Sequence, residues 1–584
     1  QMGDGRLSGV VFDVSGAVVV GASVTATNEA TGVARPATTN ETGNFAFPSL
    51  PAGLYTVEVE YPGFKKWTTK GVEVTVGADR PLKVSLEPGA LAETVTVTEA
   101  AIAAQTTESS ISSLVAGDIV RSLPLNRRNP LHLLGLTPGV AGHSAQGETS
   151  SGTVTHFVHG DRGRGVLTTL DGIDISDPII PRGELSNAPI NPDMLQEFRI
   201  TTSTARADYG RNSGAHIEMA TRGGSNELHG TVYEFLRNTV FDANSFFNNH
   251  IPDPVTKRAP TAREELHRNI FGVEVGGPIK RNKAFFFFNY DGRRNSQTFI
   301  EPSTILTASA RQGLFRFVRG TITLPSGATT TRNSPSMVDP ATGALLAGIA
   351  TCSATVTTNC VDTYNIVTRD PRGLGLNSAM QQFINLWPVP NDFSGGDGLN
   401  TARFAYNAPT QNPIDTYTWK FDYEFSQKYS FLVRYNLATR SDLIGDFING
   451  ALPPGPDPSV QPGRSRLSSN QSVAVGLKMV LSPTWLNDVR VGFTRNNLLF
   501  SDTSHPQSKA YQGDSFFSSI PEFRTSTFRS PFVYWGGTER HPEHLQLKDT
   551  VSWFRGKHAF RAGADLRFYR FNNRRNPWLF RDTV

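Results

Sequence analysis

The run Thr418-Trp419-Lys420-Phe421-Asp422-Tyr423-Glu424-Phe425 puts Trp, Phe, Tyr and Phe on one face and Thr, Lys, Asp and Glu on the other. That is the period of a strand whose two faces meet different surroundings. After Ser426-Gln427-Lys428, residues Tyr429–Asn436 alternate again. Leu228–Arg237, Phe271–Gly276, Ala284–Tyr290, Ser472–Leu481, Val489–Thr494, Gln546–Trp553 and His558–Phe568 behave alike, giving about nine strands. Most are near the ~10 residues that a tilted membrane strand needs. A soluble sandwich rarely sets an aromatic face against a charged one strand after strand. A membrane barrel, with lipid outside and water or protein inside, requires it. Tight turns near Ile279–Lys283, Ser426–Lys428, Ser482–Thr484 and Arg555–Lys557 alternate with long stretches, Asn238–Arg268, Arg293–Ile414, Ala438–Asn470 and Asn496–His541. Short periplasmic turns and long extracellular loops have this asymmetry.

The first ninety residues have a different rhythm. Arg6–Phe12, Ala22–Thr27, Gly43–Phe47, Tyr55–Val59, Val72–Val76 and Leu82–Leu86 read as short strands punctuated by Gly, Pro, Asn or Asp, as in a β-sandwich. Phe45 and Phe47 share a face, as do Tyr55, Val57 and Val59, and Pro51-Ala52-Gly53 is expected to turn one strand into the next. This pattern resembles the carboxypeptidase-regulatory-like module, a small transthyretin-like sandwich, over nearly all of residues 5–88. No histidine precedes His132, so a peptidase zinc site has no imidazole there. The expected role is a spacer or interaction domain.

Past Pro88-Gly89 stands Glu93-Thr94-Val95-Thr96-Val97-Thr98-Glu99. An alternating Thr/Val segment can add as a strand to another protein's sheet. It resembles a TonB box, and the other reading is a last strand of the preceding sandwich. Residues Leu123–Asn129, Leu133–Val140, His159–Gly163, Leu170-Asp171-Gly172-Ile173, Ile190–Ile200, Tyr209–Ile217 and Thr221–Asn226 follow in an order that resembles the plug domain of TonB-dependent outer-membrane receptors, nearest the Oar-like branch. Glu197, Arg199, Arg211 and Arg222 are candidates for plug–barrel ion pairs, against solvated surface charges as the plainer reading.

The fold class expected is mainly β: an N-terminal sandwich (transthyretin- or immunoglobulin-like) over 1–90, a TonB-box-like linker over 91–108, an α+β plug over 109–226, and the N-terminal part of a transmembrane antiparallel barrel over 227–584. The resemblance implies a barrel of roughly 22 strands, so the chain is expected to be a fragment. It also implies import of an extracellular ligand by rearrangement of the plug, with TonB and ExbB/ExbD as periplasmic partners and outer-membrane lipid around the wall. The ligand itself is unspecified.

Composition narrows the alternatives. Lys+Arg 56 against Asp+Glu 52 leaves a net charge of +4, too small an excess for a nucleic-acid partner. Mean hydropathy is −0.29 and no stretch nears 18 apolar residues, which excludes membrane helices but not barrel strands. The start, Gln1-Met2, shows no leader pattern; it reads as a mature terminus or a fragment edge. Cys352 and Cys360 fall in the longest loop, at a spacing that suits either a local disulfide or two thiols. No phosphate loop, nucleophile elbow or calcium loop occurs, and His541/His544 and His156/His159 lack a convergent third ligand. No cofactor, metal or enzyme activity is therefore expected. The competing functions are an outer-membrane adhesin or scaffold with a carbohydrate- or protein-binding sandwich, and a secreted soluble multi-sandwich protein.

Overall fold

The structure, a computed structural model, describes residues 4–89, 94–98, 111–123, 125, 128–143, 155–161, 165–177, 190–203, 210, 213–243, 265–385, 389–444, 464–482, 484–502, 538–555 and 558–575.

Residues 4–86 form seven strands, β1 (Asp4–Asp13), β2 (Ser23–Asn28), β3 (Ala34–Thr38), β4 (Asn44–Pro51), β5 (Gly53–Glu60), β6 (Lys66–Val74) and β7 (Asp79–Leu86). An eighth, β8 (Thr94–Thr98), follows. One sheet has the order β4-β1-β7 and the other β3-β2-β5-β6-β8. Between them lie Leu7, Phe45, Phe47, Tyr55, Val57, Val59, Trp67 and Val84. Each large side chain buried there is worth about 1.5–3 kcal/mol. Tyr55 keeps its polar end satisfied by donating from Oη to the Pro51 carbonyl at 2.9 Å. Two local expectations need correction. Pro51–Gly53 is not a hairpin: β4 pairs with β1 while β5 pairs with β2 and β6, so the chain passes there from one sheet to the other. The strand expected at Val72–Val76 is the end of the longer β6.

The plug contains β9 (Ile111–Ala116), β10 (Val140–His143), β11 (Thr155–Val158), β12 (Leu167–Leu170), β13 (Ile173–Asp174), β14 (Leu195–Ser203) and β15 (His216–Thr221). Its main sheet has the order β13-β12-β15-β14-β9. A 3-10 turn at Pro130–Leu136 starts at Asn129, whose side chain accepts from the Leu131 N–H, and buries Leu131, Leu133 and Leu134. The plug core, with Phe198, Ile200 and Met219, includes Phe287, a barrel residue.

The wall opens with β16 (His229–Asn238), β17 (Leu266–Lys280) and β18 (Ala284–Leu306). A small outer unit follows, with β19 (Leu314–Arg319), β20 (Ile322–Thr323), β21 (Thr329–Thr330) and β22 (Cys360–Asn365). The wall resumes with β23 (Thr401–Gln411), β24 (Ile414–Ser426), β25 (Tyr429–Ile444), β26 (Arg464–Ser482), β27 (Trp485–Asp502), β28 (Thr538–Arg555) and β29 (His558–Arg575). These wall strands form one antiparallel sheet of ten, with β16 and β29 at its two margins. β23 pairs with Ser296–Leu306 of β18, and β24 with Ala284–Arg293 of the same strand. Together they make one stave, broken at Asn412-Pro413, where proline has no N–H to give. The segment Arg293–Ile414 is therefore not one loop. Its ends extend two staves, and its middle packs around its own core of Ile322, Met337, Val338, Val361 and Leu399.

The wall is inside out relative to a soluble protein. Thr416, Thr418, Arg434, Asn436, Asn470, Thr494 and Gln546 are buried, while Val491, Leu545, Leu547, Phe568 and the 40 % exposed Trp419 face outward. Trp419 stacks on Tyr417 (5.7 Å between centroids) and Tyr435 (5.5 Å), in register with lipid-side neighbours rather than in a closed core. No described helix is long and apolar enough to cross a membrane, which says nothing against strands doing so.

Candidate functional site: the plug seat and the barrel mouth

The turn Leu170-Asp171-Gly172-Ile173 joins β12 to β13. Asp171 (φ 49°) and Gly172 (φ 82°) are both left-handed, the requirement of a two-residue type I′ hairpin that an Asp-Gly pair meets at small cost. The tip is thereby pushed into the wall. Asp171 accepts from the Thr221 N–H (2.9 Å) and Oγ1 (2.6 Å), closing the plug on itself. Its carboxylate also lies 3.1 Å from Nε of Arg434, a fully buried residue of β25. Burial pushes the Asp171 carboxyl up, but Lys420 and Arg434 outweigh it and hold the group below the usual carboxylate range.

Further contacts ring the tip. Arg490 of β27 donates to the Asp171 carbonyl at 2.7 Å, and Lys420 of β24 to the Thr221 carbonyl at 2.9 Å. Asp174 pairs with Arg567 of β29 at 2.9 Å, its N–H donates to Gln546 (2.9 Å), and its carbonyl accepts from Thr494 Oγ1 (3.1 Å). Ile173, fully buried, lies against Gly492 so closely that a Cβ there would overlap it. Elsewhere on the plug, Asn191 donates to Tyr233 (2.7 Å) and Asn289 (3.1 Å) of the wall, and Arg128 spans Asp193 (2.7 Å) and the ring of Phe235 (3.9 Å).

Of the charges singled out in the sequence, Arg222 reaches the wall, pairing with Glu274 of β17. Arg199 donates to Ser112 Oγ of β9 at 3.1 Å, and its side chain lies beside Gly77 of the sandwich. Glu197 accepts from the Val76 N–H of the sandwich. Burial raises its carboxyl to about 7, with Glu73 adding to the shift and the Val76 N–H and Arg199 opposing it. Arg211 and Glu93 lie outside the described residues. Sequence reading did not single out Asp174, Asp4, Arg434, Arg490 or Arg567. The three arginines sit in the polar phase of their strands, and that phase was the available signal.

The sandwich closes the short-turn end of the wall. Asp4 meets Lys478 of β26 and Arg490 (3.2 Å), Arg35 pairs with Glu424 of β24 at 2.5 Å, and Arg6 lies 5.0 Å from the ring centroid of Phe554. Asn226, at the end of the plug, donates from its side chain to the Thr31 carbonyl at 2.6 Å. A cavity of about 610 Å³ remains between the three units, lined by Asp4, Tyr55, Asp171, Arg222, Lys420 and Lys478 among others. Strand β8 runs parallel to β6, Thr94–Thr98 against Lys66–Lys70, and covers the edge of the sandwich sheet. Cys352 and Cys360 are joined by a disulfide within the outer unit, their Cα atoms 5.0 Å apart. His544 is buried against the Asp174 carbonyl (3.0 Å), whereas His541 lies 3.0 Å from Asn497. Among the described residues no three His, Cys, Asp or Glu side chains gather as metal ligands.

Residues 220–578 match the outer membrane beta barrel domain family, more than half of the chain. The chain belongs to that family. In this outer-membrane β-barrel protein, residues 103–215 match the TonB-dependent receptor plug domain and residues 6–87 the carboxypeptidase regulatory-like domain. The TonB-dependent transporter Oar of Myxococcus xanthus is 25 % identical over 270 residues, 43 % of this chain and 23 % of Oar. The chain thus matches about a quarter of the length of this curated relative. Among solved structures, the outer membrane transporter YddB of Escherichia coli aligns over 78 % of this chain and 48 % of its own, at 11 % identity and TM-score 0.44. The siderophore receptor PirA of Acinetobacter baumannii aligns over 80 % and 49 %, at 11 % identity and TM-score 0.41. The β-barrel protein is Oar-like, its place is the Gram-negative outer membrane, and its relatives are transporters and receptors rather than enzymes. The short strand connections, and with them the sandwich, lie on the periplasmic side.

Proposed function

We propose that the chain is the gating part of a TonB-dependent importer. Its outer segments meet an extracellular ligand, the plug blocks the pore, and a pull from TonB, driven by ExbB/ExbD, rearranges the plug so that the ligand passes. No bond chemistry is required of the protein. The observation that carries this reading is the plug seat. Asp171 and Asp174 are held to Arg434 and Arg567 by ion pairs in a polar lumen. Such contacts orient the plug firmly, yet they can exchange for water when the plug moves, which an apolar seal does less readily. Glu93–Thr98 would be the handle: a strand already held by backbone pairing can trade one sheet edge for another.

The test is binding of a purified periplasmic TonB domain from the same organism to the natural outer-membrane protein, with and without residues 93–99. Deletion should abolish binding while the protein reaches the membrane in normal amount. Undiminished binding would remove the coupling role and leave the adhesin reading in front.

A further inference from the structure

Arg490 is where the three units meet. Its guanidinium lies 3.2 Å from Asp4 of the sandwich, 2.7 Å from the Asp171 carbonyl of the plug, and 3.0 Å from each oxygen of Asp488 on its own strand. Lys478 on the neighbouring strand reaches the same Asp4 carboxylate. Asp4 also accepts from Ser49 Oγ, so the carboxylate is fixed within the sandwich as well as against the wall.

We infer that Arg490 is a positioning residue that makes the sandwich a second, periplasmic closure coupled to the plug. While Asp4 is in place, Arg490 and Lys478 share its charge and the Arg490 fork is held in line with the Asp171 carbonyl. When the sandwich leaves, it takes with it a carboxylate that both cations touch. Arg490 then keeps Asp488, 3.0 Å away on its own strand, while its Nη2 side and Lys478 lose the carboxylate they share, and the fork is free to turn on Asp488 away from the Asp171 carbonyl. The plug turn loses one of its wall contacts by the same event. The closure and the plug therefore loosen in sequence, sandwich first.

The position of β8 fits this order. It is bonded along the edge of the sandwich sheet, so a pull on it loads the sandwich before it loads the plug. That last step rests on the importer reading; the coupling through Arg490 does not.

The test uses the natural protein in outer-membrane vesicles, with no TonB and no ligand, and follows backbone hydrogen exchange at residues 167–174 of the plug. Asp4→Asn keeps the shape of the side chain and removes its charge. It should speed exchange there roughly five- to tenfold. Arg490→Lys should reproduce the loosening, since one ammonium cannot hold the Asp4 carboxylate and the Asp171 carbonyl in the same fork. Arg35→Cys with Glu424→Cys, joined by a reducible bis-maleimide linker that spans the length of the former ion pair, ties the sandwich to the wall at a separate point. With Asp4 intact the tether should slow exchange at 167–174, with Asp4→Asn it should slow it far less, and cleaving the linker should restore the untethered rates. If Asp4→Asn loosens only the sandwich strands, or if the tether leaves exchange at 167–174 unchanged with Asp4 intact, the coupling is refuted. Failure here with intact TonB binding leaves the importer standing; loss of TonB binding bears on the importer alone.

Discussion

At the scale of single residues, Asp171 does two jobs that substitution can separate. Its left-handed φ shapes the turn, and its carboxylate holds Arg434 and Thr221. Asn tolerates the same backbone, so Asp171→Asn should keep the turn and lose the ion pair, whereas Asp171→Val should lose both. Plug release can be read as entry of vancomycin, too large for an occluded pore, into cells carrying the natural protein. Sensitivity should rise for Asn and rise further for Val; equal resistance would show that the pair does not hold the seat. Glu197 offers a pH readout. Its docked carboxyl keeps a proton up to about 7, against an ordinary 4.5. The docked form therefore binds more protons across that window, and sandwich–plug docking should weaken as pH rises from 4.5 through 7. Asp4 runs the other way: its two cations hold it far below the usual range despite burial, so its contribution is lost only in strong acid, outside that window. Exchange of the Val76 amide, corrected for its intrinsic rate, should show the trend, and Glu197→Gln should flatten it.

At the scale of elements, the wall strands were the most legible part of the chain, because lipid and lumen impose opposite demands on successive residues. Legibility ends where that contrast ends. The outer half of β18, with Arg293-Arg294-Asn295-Ser296-Gln297-Thr298, has lost the two-sided contrast, and from sequence it passes for loop. The short strand β3 was missed because Pro36 argues against a strand; it sits at a sheet edge, where proline is tolerated. The passage at Pro51–Gly53 has the chemistry of a hairpin turn, and nothing local says that its two strands belong to different sheets. Val491 tests the wall directly: it is 40 % exposed on the outer face of β27. Val491→Arg should destabilise the folded protein by about 2–4 kcal/mol if the site is near mid-bilayer, measured by urea unfolding in lipid vesicles. In the outer unit, the Cys352–Cys360 bond closes a short loop beside the core residue Val361. Replacing both cysteines by serine should cost about 2 kcal/mol of local stability, seen as faster proteolysis of that unit alone.

At the scale of the whole molecule, three units that sequence reading treats as successive domains share one buried ionic junction. The seat was half legible. The Leu170–Ile173 motif and Arg222 stood out, but which carboxylate would meet which barrel arginine depends on pairs hundreds of positions apart, such as Asp174 with Arg567. The sequence makes Arg199 and Glu197 candidates for wall ion pairs, and their described contacts are with the sandwich or within the plug. Charge type was readable, and direction was not.

The bare backbone at Gly492, against which Ile173 rests, gives the pore a recess on one stave. A recess of that kind fixes azimuth. On the importer reading, a plug drawn out and returning would meet this notch at one angular position, so that the wall itself would index each cycle. Filling the notch with a methyl group would leave every charge in place and still deny the returning plug its home position.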